Sequence, residues 1–177
     1  IKVILDGVYS HTGSDSLYFN REGHFPGVGA YQSKASPYYS WYTFHQWPNN
    51  YNSWWSFDTL PTINKMDPEF IKYIITDEDS VVAHWLKAGA DGFRLDVADE
   101  LPDEFLKLLY DRVKEINPDA YVLGEVWEDA SNKTAYGRRR QYFTNAELDS
   151  VMNYPFRTAI LNFMRGWDSG HGLKETV

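Results

Sequence analysis

Ala90-Asp91-Gly92-Phe93-Arg94-Leu95-Asp96-Val97-Ala98-Asp99-Glu100 opens as a short apolar strand over residues 92–97 and ends in acid. Arg94 and Asp96 stand two apart, so on a strand both side chains point to the same face. A cation beside a carboxylate keeps it ionised. An ionised, oriented carboxylate at a strand end is a candidate nucleophile or electrostatic stabiliser. A structural ion pair closing the strand is the plainer reading of an isolated Arg-x-Asp, and the rest of the chain decides between them.

Outward from this strand, the pattern alternates. Ile1-Lys2-Val3-Ile4-Leu5 reads as a strand already under way. The nearly continuous apolar run over 1–8 predicts a strand buried on both faces, as in a parallel sheet. Asp67-Pro68 is an N-cap followed by proline at the first helical position, and Phe70, Ile71, Ile74 and Ile75 follow at helical spacing. A second cap-like cluster at 77–80 leads to Val81, Val82, Trp85 and Leu86 on one face, with Gly89 as a stop. Pro102 begins another helix, with Phe105, Leu108, Leu109, Val113 and Ile116 expected inward. Residues 121–127 read as the next strand and 150–154 as a further one. A helix over 155–164 follows, with Phe156, Ile160 and Phe163 inward. Strands with a helix in the gaps are successive βα units of a parallel sheet.

From Thr12 to Thr59 the periodicity is lost among Gly, Ser, Asn, Pro and aromatics, including Trp54-Trp55. A structureless loop of that size is improbable in a compact domain. Residues 12–59 are therefore expected to form an inserted irregular subdomain pinned by aromatic side chains. Residues 1–11 and 60–177 then make the α/β body. With a strand under way at the first residue and no closing element at 172–177, the chain reads as a piece of a larger domain.

A net charge of -8 supplies no basic stripe for nucleic acid. Arg138-Arg139-Arg140 is the only basic run, expected as a solvated loop or helix start rather than a phosphate site. The chain contains no cysteine, which removes disulfides and thiolate metal sites. No apolar run approaches a membrane span and no signal peptide is visible, so a cytoplasmic place is favoured. The 7 Trp and 13 Tyr suit stacking against the apolar faces of sugar rings, and equally a large ordinary core.

Three strands end in chemistry: Asp6 to His11, Arg94 to Asp96, and Glu125. In parallel α/β folds the carboxyl ends of all strands lie on one side, where active sites sit. Asp96 is expected to stay charged. Glu125, with apolar neighbours and less cationic support, is expected to hold its proton near neutral pH. Two carboxyls with separated pKa values are what glycoside hydrolysis needs. Against this, His11 alone reads as a packed or capping histidine, Glu125 as a solvated strand-end charge, and Asp99 and Glu100 as N-terminal charges for the following helix.

Together the motifs are more specific. Asp6-Gly7-Val8-Tyr9-Ser10-His11, Gly92-Phe93-Arg94-Leu95-Asp96 and Gly124-Glu125-Val126-Trp127 occur in the order and context of the α-amylase family of glycoside hydrolases. Leu60-Pro61-Thr62-Ile63-Asn64 resembles that family's additional short motif. The endings Val97-Ala98-Asp99-Glu100 and Val126-Trp127-Glu128-Asp129 resemble its neopullulanase, cyclomaltodextrinase and maltogenic amylase branch.

The resemblance implies an arc of a (β/α)8 TIM barrel, about strands 3 to 6, with the insertion after the first strand of this chain. It implies Asp96 as nucleophile and Glu125 as general acid/base, with carboxyls about 5–5.5 Å apart for a retaining mechanism. Arg94 would orient the nucleophile and His11 would bind sugar hydroxyls. Asp6 would support that cluster, while Glu100 and Trp127 would face the leaving-group side. The implied ligands are α-glucan oligosaccharides: maltodextrins, cyclodextrins or pullulan.

The family usually carries Asn where Ser10 stands, a position that helps bind calcium in many amylases. No cofactor is expected here, and calcium is left to the full-length protein. The family's third catalytic Asp, which follows a His after the seventh strand, has no counterpart before Val177. The chain alone is therefore expected to be inactive. Exposed sheet edges would favour association, homo-oligomers included. The alternatives are transglycosylation or sugar isomerisation through the same intermediate, and a non-catalytic interaction domain like the heavy chains of amino-acid transporters.

Overall fold

Apolar runs separated by helical stretches become parallel strands lying side by side. The computed structural model describes residues 1–165. In chain order the strands are β1 (Ile4–Gly7), β2 (Phe44–Gln46), β3 (Asn50–Tyr51), β4 (Gly92–Leu95), β5 (Tyr121–Gly124), β6 (Thr134–Ala135), β7 (Arg138–Arg139) and β8 (Ser150–Val151). The α-helices are α1 (Pro68–Ile71), α2 (Val81–Lys87), α3 (Asp103–Ile116) and α4 (Tyr154–Arg165), and a π-helical turn, Lys72–Thr76, continues α1. Residues 172–177, read from the sequence as lacking a closing element, lie outside the described residues.

One four-stranded sheet has the order β1-β4-β5-β8, all parallel, so chain order and spatial order agree. An unbroken arc of a βα barrel has this arrangement. The register pairs Asp6 with Arg94, Arg94 with Leu123, and Gly124 with Val151, which places the three acidic strand ends at one rim. Gly92 is required where β4 starts. Its φ is +150°, and a Cβ there would lie 2.0 Å from the Tyr121 carbonyl oxygen.

The helix starts follow their capping chemistry. Asp67 accepts from the Glu69 and Phe70 N–H groups at 3.0 Å each, with Pro68 next. Ser80 accepts from Ala83 N at 3.3 Å while its hydroxyl donates to the Ile75 carbonyl. Gly89, in the left-handed region, follows the end of α2 as the sequence predicts. The amphipathic face of α3 buries Phe105, Leu106, Leu109 and Val113 in the core cluster that also holds Phe93 and Val122 of the sheet. Leu106 takes the inward place expected of Leu108, which is exposed, because the buried stripe runs through i, i+1, i+4 and i+8 from Phe105.

Three further expectations are corrected. β1 is not buried on both faces: it is the first strand of the sheet, and Val3 and Ile4 are 50% and 40% exposed at that margin. The α4 residues Phe156, Ile160 and Phe163 are exposed, since among the described residues no element covers that face.

The third correction concerns the arginine run. It forms part of the β6–β7 hairpin, and Arg140 is buried rather than solvated. Its guanidinium donates to the Asp99 and Leu101 carbonyls at 3.0 and 2.8 Å and pairs with Asp103. Arg138 pairs with Asp103 and Glu104, both at 2.9 Å. Acceptors at the start of α3, far away in sequence, make burial of that charge tolerable.

Segment 12–59 has little regular structure apart from the β2–β3 hairpin. Phe19 is fully buried among Tyr31, Tyr42, Phe44 and Tyr51, with ring centroids 4.8–5.9 Å apart. Trp41 carries this cluster onto Phe70 of α1 at 5.2 Å. The chain returns beside β1 through an antiparallel bridge of His11 with Thr62. No described helix is long and apolar enough to cross a membrane.

Candidate functional site

Hydrogen bonding in register continues one residue past each strand end. Asp96 N donates to the Gly7 carbonyl at 3.1 Å and Glu125 N to the Leu95 carbonyl at 2.9 Å. That extension holds both carboxylates on rigid backbone at the sheet's carboxyl rim. Between them stands Arg94, 22% exposed in its side chain. Its Nη1 donates to Asp96 Oδ1 and to Asp6 Oδ1, both at 2.8 Å, and its Nη2 lies 2.6 Å from Glu125 Oε1. One planar guanidinium thus fixes three carboxylates from three adjacent strands, a geometry that lysine could not reproduce.

Glu125 is buried and receives more than Arg94. Val97 N donates to its Oε2 at 3.0 Å and the Tyr154 hydroxyl to its Oε1 at 3.3 Å. Burial pushes its pKa up, but the Val97 N–H, the Trp127 indole, Arg94 and Tyr154 together carry it below the usual carboxylate value. The expectation that Glu125 holds its proton is therefore corrected for this arrangement. The missing elements were the Val97 N–H, the Trp127 indole and the Arg94 guanidinium, which folding brings to it. Val97 donates from a left-handed backbone (φ 38°, ψ 56°), a costly conformation for a β-branched residue.

His11 sits beside this cluster. Its Nδ1 is 2.7 Å from Ser10 Oγ, and its ring stacks on Trp54 at 5.4 Å. Burial pushes its pKa below the ordinary histidine value, against the opposing pull of Asp96 and Glu100. Trp54 Nε1 donates to Glu100 Oε1 at 3.0 Å, joining the segment before β4 to the turn after it. Trp127 is 40% exposed and meets Trp55 edge-to-face at 5.7 Å.

The structure therefore brings Arg94, Asp96 and Glu125 into direct contact, with Asp6 on the same guanidinium. Trp54 and Trp55 link His11, Glu100 and Trp127 to one another, and the Trp127 indole reaches Glu125 directly. Trp54, Tyr154 and Lys65 went unassigned from the sequence. The pKa of Lys65 is lowered by burial, with Glu100 acting in the opposite direction. A sequence signal existed for two of them: Lys65 directly follows Leu60-Pro61-Thr62-Ile63-Asn64, and Tyr154 lies just past a strand end.

At the position that the family resemblance links to calcium, the fully buried Ser10 hydroxyl is engaged by His11. It offers a hard cation one neutral oxygen, where such sites draw on carboxylates and carbonyls. The residues at this position do not fit a calcium site.

Residues 1–171 match the family model described as the α-amylase catalytic domain. The chain is 36% identical over 197 residues to the amylopullulanase of Thermoanaerobacterium thermosulfurigenes, covering 100% of this chain and 10% of that protein. It is 33% identical over 171 residues to the cyclomaltodextrinase of Thermoanaerobacter pseudethanolicus, covering 92% of this chain and 26% of that protein. Among solved structures, the debranching enzyme of Nostoc punctiforme superposes with a TM-score of 0.73 at 34% identity, over 92% of this chain and 32% of that one. The chain thus spans about a quarter or less of the curated relatives it matches. By its strand order, its rim of acidic strand ends and this match, the chain belongs to the α-amylase family and forms part of its catalytic domain.

Proposed function

We propose that this chain carries the nucleophile and the acid/base of a retaining glycoside hydrolase acting on α-glucosidic bonds of maltodextrins, cyclodextrins or pullulan. The observation that carries this reading is the single guanidinium of Arg94 bonded to Asp96 at 2.8 Å and to Glu125 at 2.6 Å. Both carboxyls bond the same guanidinium fork, which supports a pair close enough for the retaining mechanism, whose carboxyls stand about 5–5.5 Å apart. Relatives named amylopullulanase and cyclomaltodextrinase support the substrate class.

In this mechanism an Asp96 oxygen attacks the anomeric carbon as the bond to the leaving sugar oxygen breaks. Glu125 gives that oxygen its proton. Water then attacks the anomeric carbon of the glycosyl–Asp96 ester, loses a proton to Glu125, and frees Asp96. The first step needs a protonated Glu125, whereas the resting carboxyl is held ionised. Burial already acts most strongly on Glu125 and in the upward direction. A sugar filling the site removes more water and pushes the carboxyl further toward its acid form.

His11, kept neutral by burial, binds the hydroxyls of the cleaved sugar, while Glu100 and Trp127 receive the leaving-group side. Residues 12–59 act as the inserted subdomain that supplies Trp54 to the site. The further catalytic Asp implied by the family has no counterpart in residues 1–177, which supports turnover by a complete catalytic domain rather than by these residues alone. The test is turnover of maltotriose and cyclodextrin by the intact protein with Asp96→Asn alongside. We expect at least about 10³-fold loss of kcat in the variant; normal activity in it would remove Asp96 as nucleophile.

A further inference from the structure

Trp55 is the least explained side chain near the site. It is 64% exposed, and its backbone lies in the left-handed region (φ 50°, ψ 32°), followed by Ser56 at φ 64°. A bulky residue with positive φ is a conformational outlier, and such strain persists only where surrounding structure imposes it. A large aromatic residue held in strain while facing solvent gains nothing from the core.

Its neighbours give it a direction. Trp54 stacks on His11 at 5.4 Å, Trp55 stacks on Trp54 at 5.2 Å with planes 21° apart, and Trp55 meets the edge of Trp127 at 5.7 Å. The aromatic surface thus runs without a break from beside Asp96 to solvent. Its inner end is tied to a carboxylate by the Trp54 N–H on Glu100. Phe57, 54% exposed, extends it on the inserted segment's side. An exposed apolar strip with a carboxylate beside it matches a pyranose ring, which has an apolar C–H face and hydroxyls around its edge.

We infer that Trp55 is a specificity-determining residue: its exposed ring stacks on a glucose unit of the leaving-group chain beyond the sugar next to the cleaved bond. Trp127 and Glu100 contact the nearer sugar, and Trp55 extends the grip outward, favouring substrates with longer leaving groups. This rests on the glycosidase reading above. The left-handed turn at Trp55 and Ser56 presents the ring outward rather than into the aromatic core of segment 12–59.

The test compares kcat/KM of the intact protein for maltohexaose and for an aryl α-maltoside, whose leaving group ends at the aryl ring. Trp55→Ala should lower kcat/KM for maltohexaose by on the order of tenfold and leave the aryl maltoside within about twofold. Trp55→Phe, which keeps a stacking face, should stay near wild type on both. An unchanged maltohexaose value in Trp55→Ala overturns the inference. So does an equal loss on both substrates, which marks a structural role. A wild-type protein that turns over neither substrate overturns the underlying glycosidase reading, and this inference with it.

Discussion

Arg94 Nη2 lies 2.6 Å from Glu125 Oε1, across the boundary between two adjacent parallel strands. The same guanidinium donates to Asp96 two residues along its own strand. Asp96 and Glu125, the proposed nucleophile and acid/base, therefore share one cation, and each senses the other's charge through it.

Removing that cation should raise the pKa of Glu125, because an opposite charge that favours the ionised form is lost while burial remains. We expect Arg94→Met to move the Glu125 titration upward by carboxyl-selective NMR, and to lower kcat by on the order of a hundredfold or more. An unshifted Glu125 titration would show that the Val97 N–H and its other donors suffice.

His11 should make activity fall on the acid side. Its folded pKa is depressed by burial, so it is neutral above that value and gains charge only as pH falls through it. The kcat/KM profile of the intact protein should therefore lose activity below the ordinary histidine range. His11→Gln should abolish that limb and reduce the plateau about tenfold, read from pH–rate profiles.

Asp149 holds the far end of the sheet. It accepts from Val122 N at 2.8 Å and Tyr110 Oη at 3.0 Å and pairs with Lys114 at 2.8 Å. Burial raises its pKa, but Lys114, the Val122 N–H and Tyr110 outweigh that, and the net shift is downward. A carboxyl depressed in the folded state gives full stability above its unfolded value of about 3.9, lost as pH falls through the lower folded value. Asp149→Ala should cost about 2–3 kcal/mol near neutral pH and flatten that acid loss, measured by urea unfolding across pH.

Arg140 should be the arginine of its run that tolerates least. Arg140→Met leaves two backbone carbonyls without their donor and the Asp103 carboxylate with Arg138 alone, and should cost about 3–5 kcal/mol. Arg139→Met, on an exposed strand residue, should cost under about 1 kcal/mol. Thermal unfolding of both variants checks the contrast.

That contrast also marks how far the sequence could be read. The strands around Phe93 and Val122, the Asp67-Pro68 cap and the Ser80 cap are local signals, written within a few residues of where they act. The rim of strand ends followed from topology, which brought Asp6, Asp96 and Glu125 together before any distance was known. Burial of Arg140 was not legible, because its acceptors are carbonyls about 40 positions away in the chain. The ionised state of Glu125 was hidden for the same reason: its cation comes from the adjacent strand and its N–H donor from a strained turn at Val97. The apolar face of α4 was legible as a pattern but not as a contact, since periodicity shows which face wants burial and not what covers it.

The central claim is that Asp96 forms the bond to the sugar. The most direct test is to trap that ester in the intact protein with a fluorinated glucosyl fluoride, which forms the intermediate faster than water releases it, and to map the adduct by peptide mass spectrometry. One glycosyl group is expected on the peptide containing Asp96, and none in Asp96→Asn. An adduct on Glu125 or Asp6, or turnover of the ordinary substrate with inversion at the anomeric carbon, would contradict it.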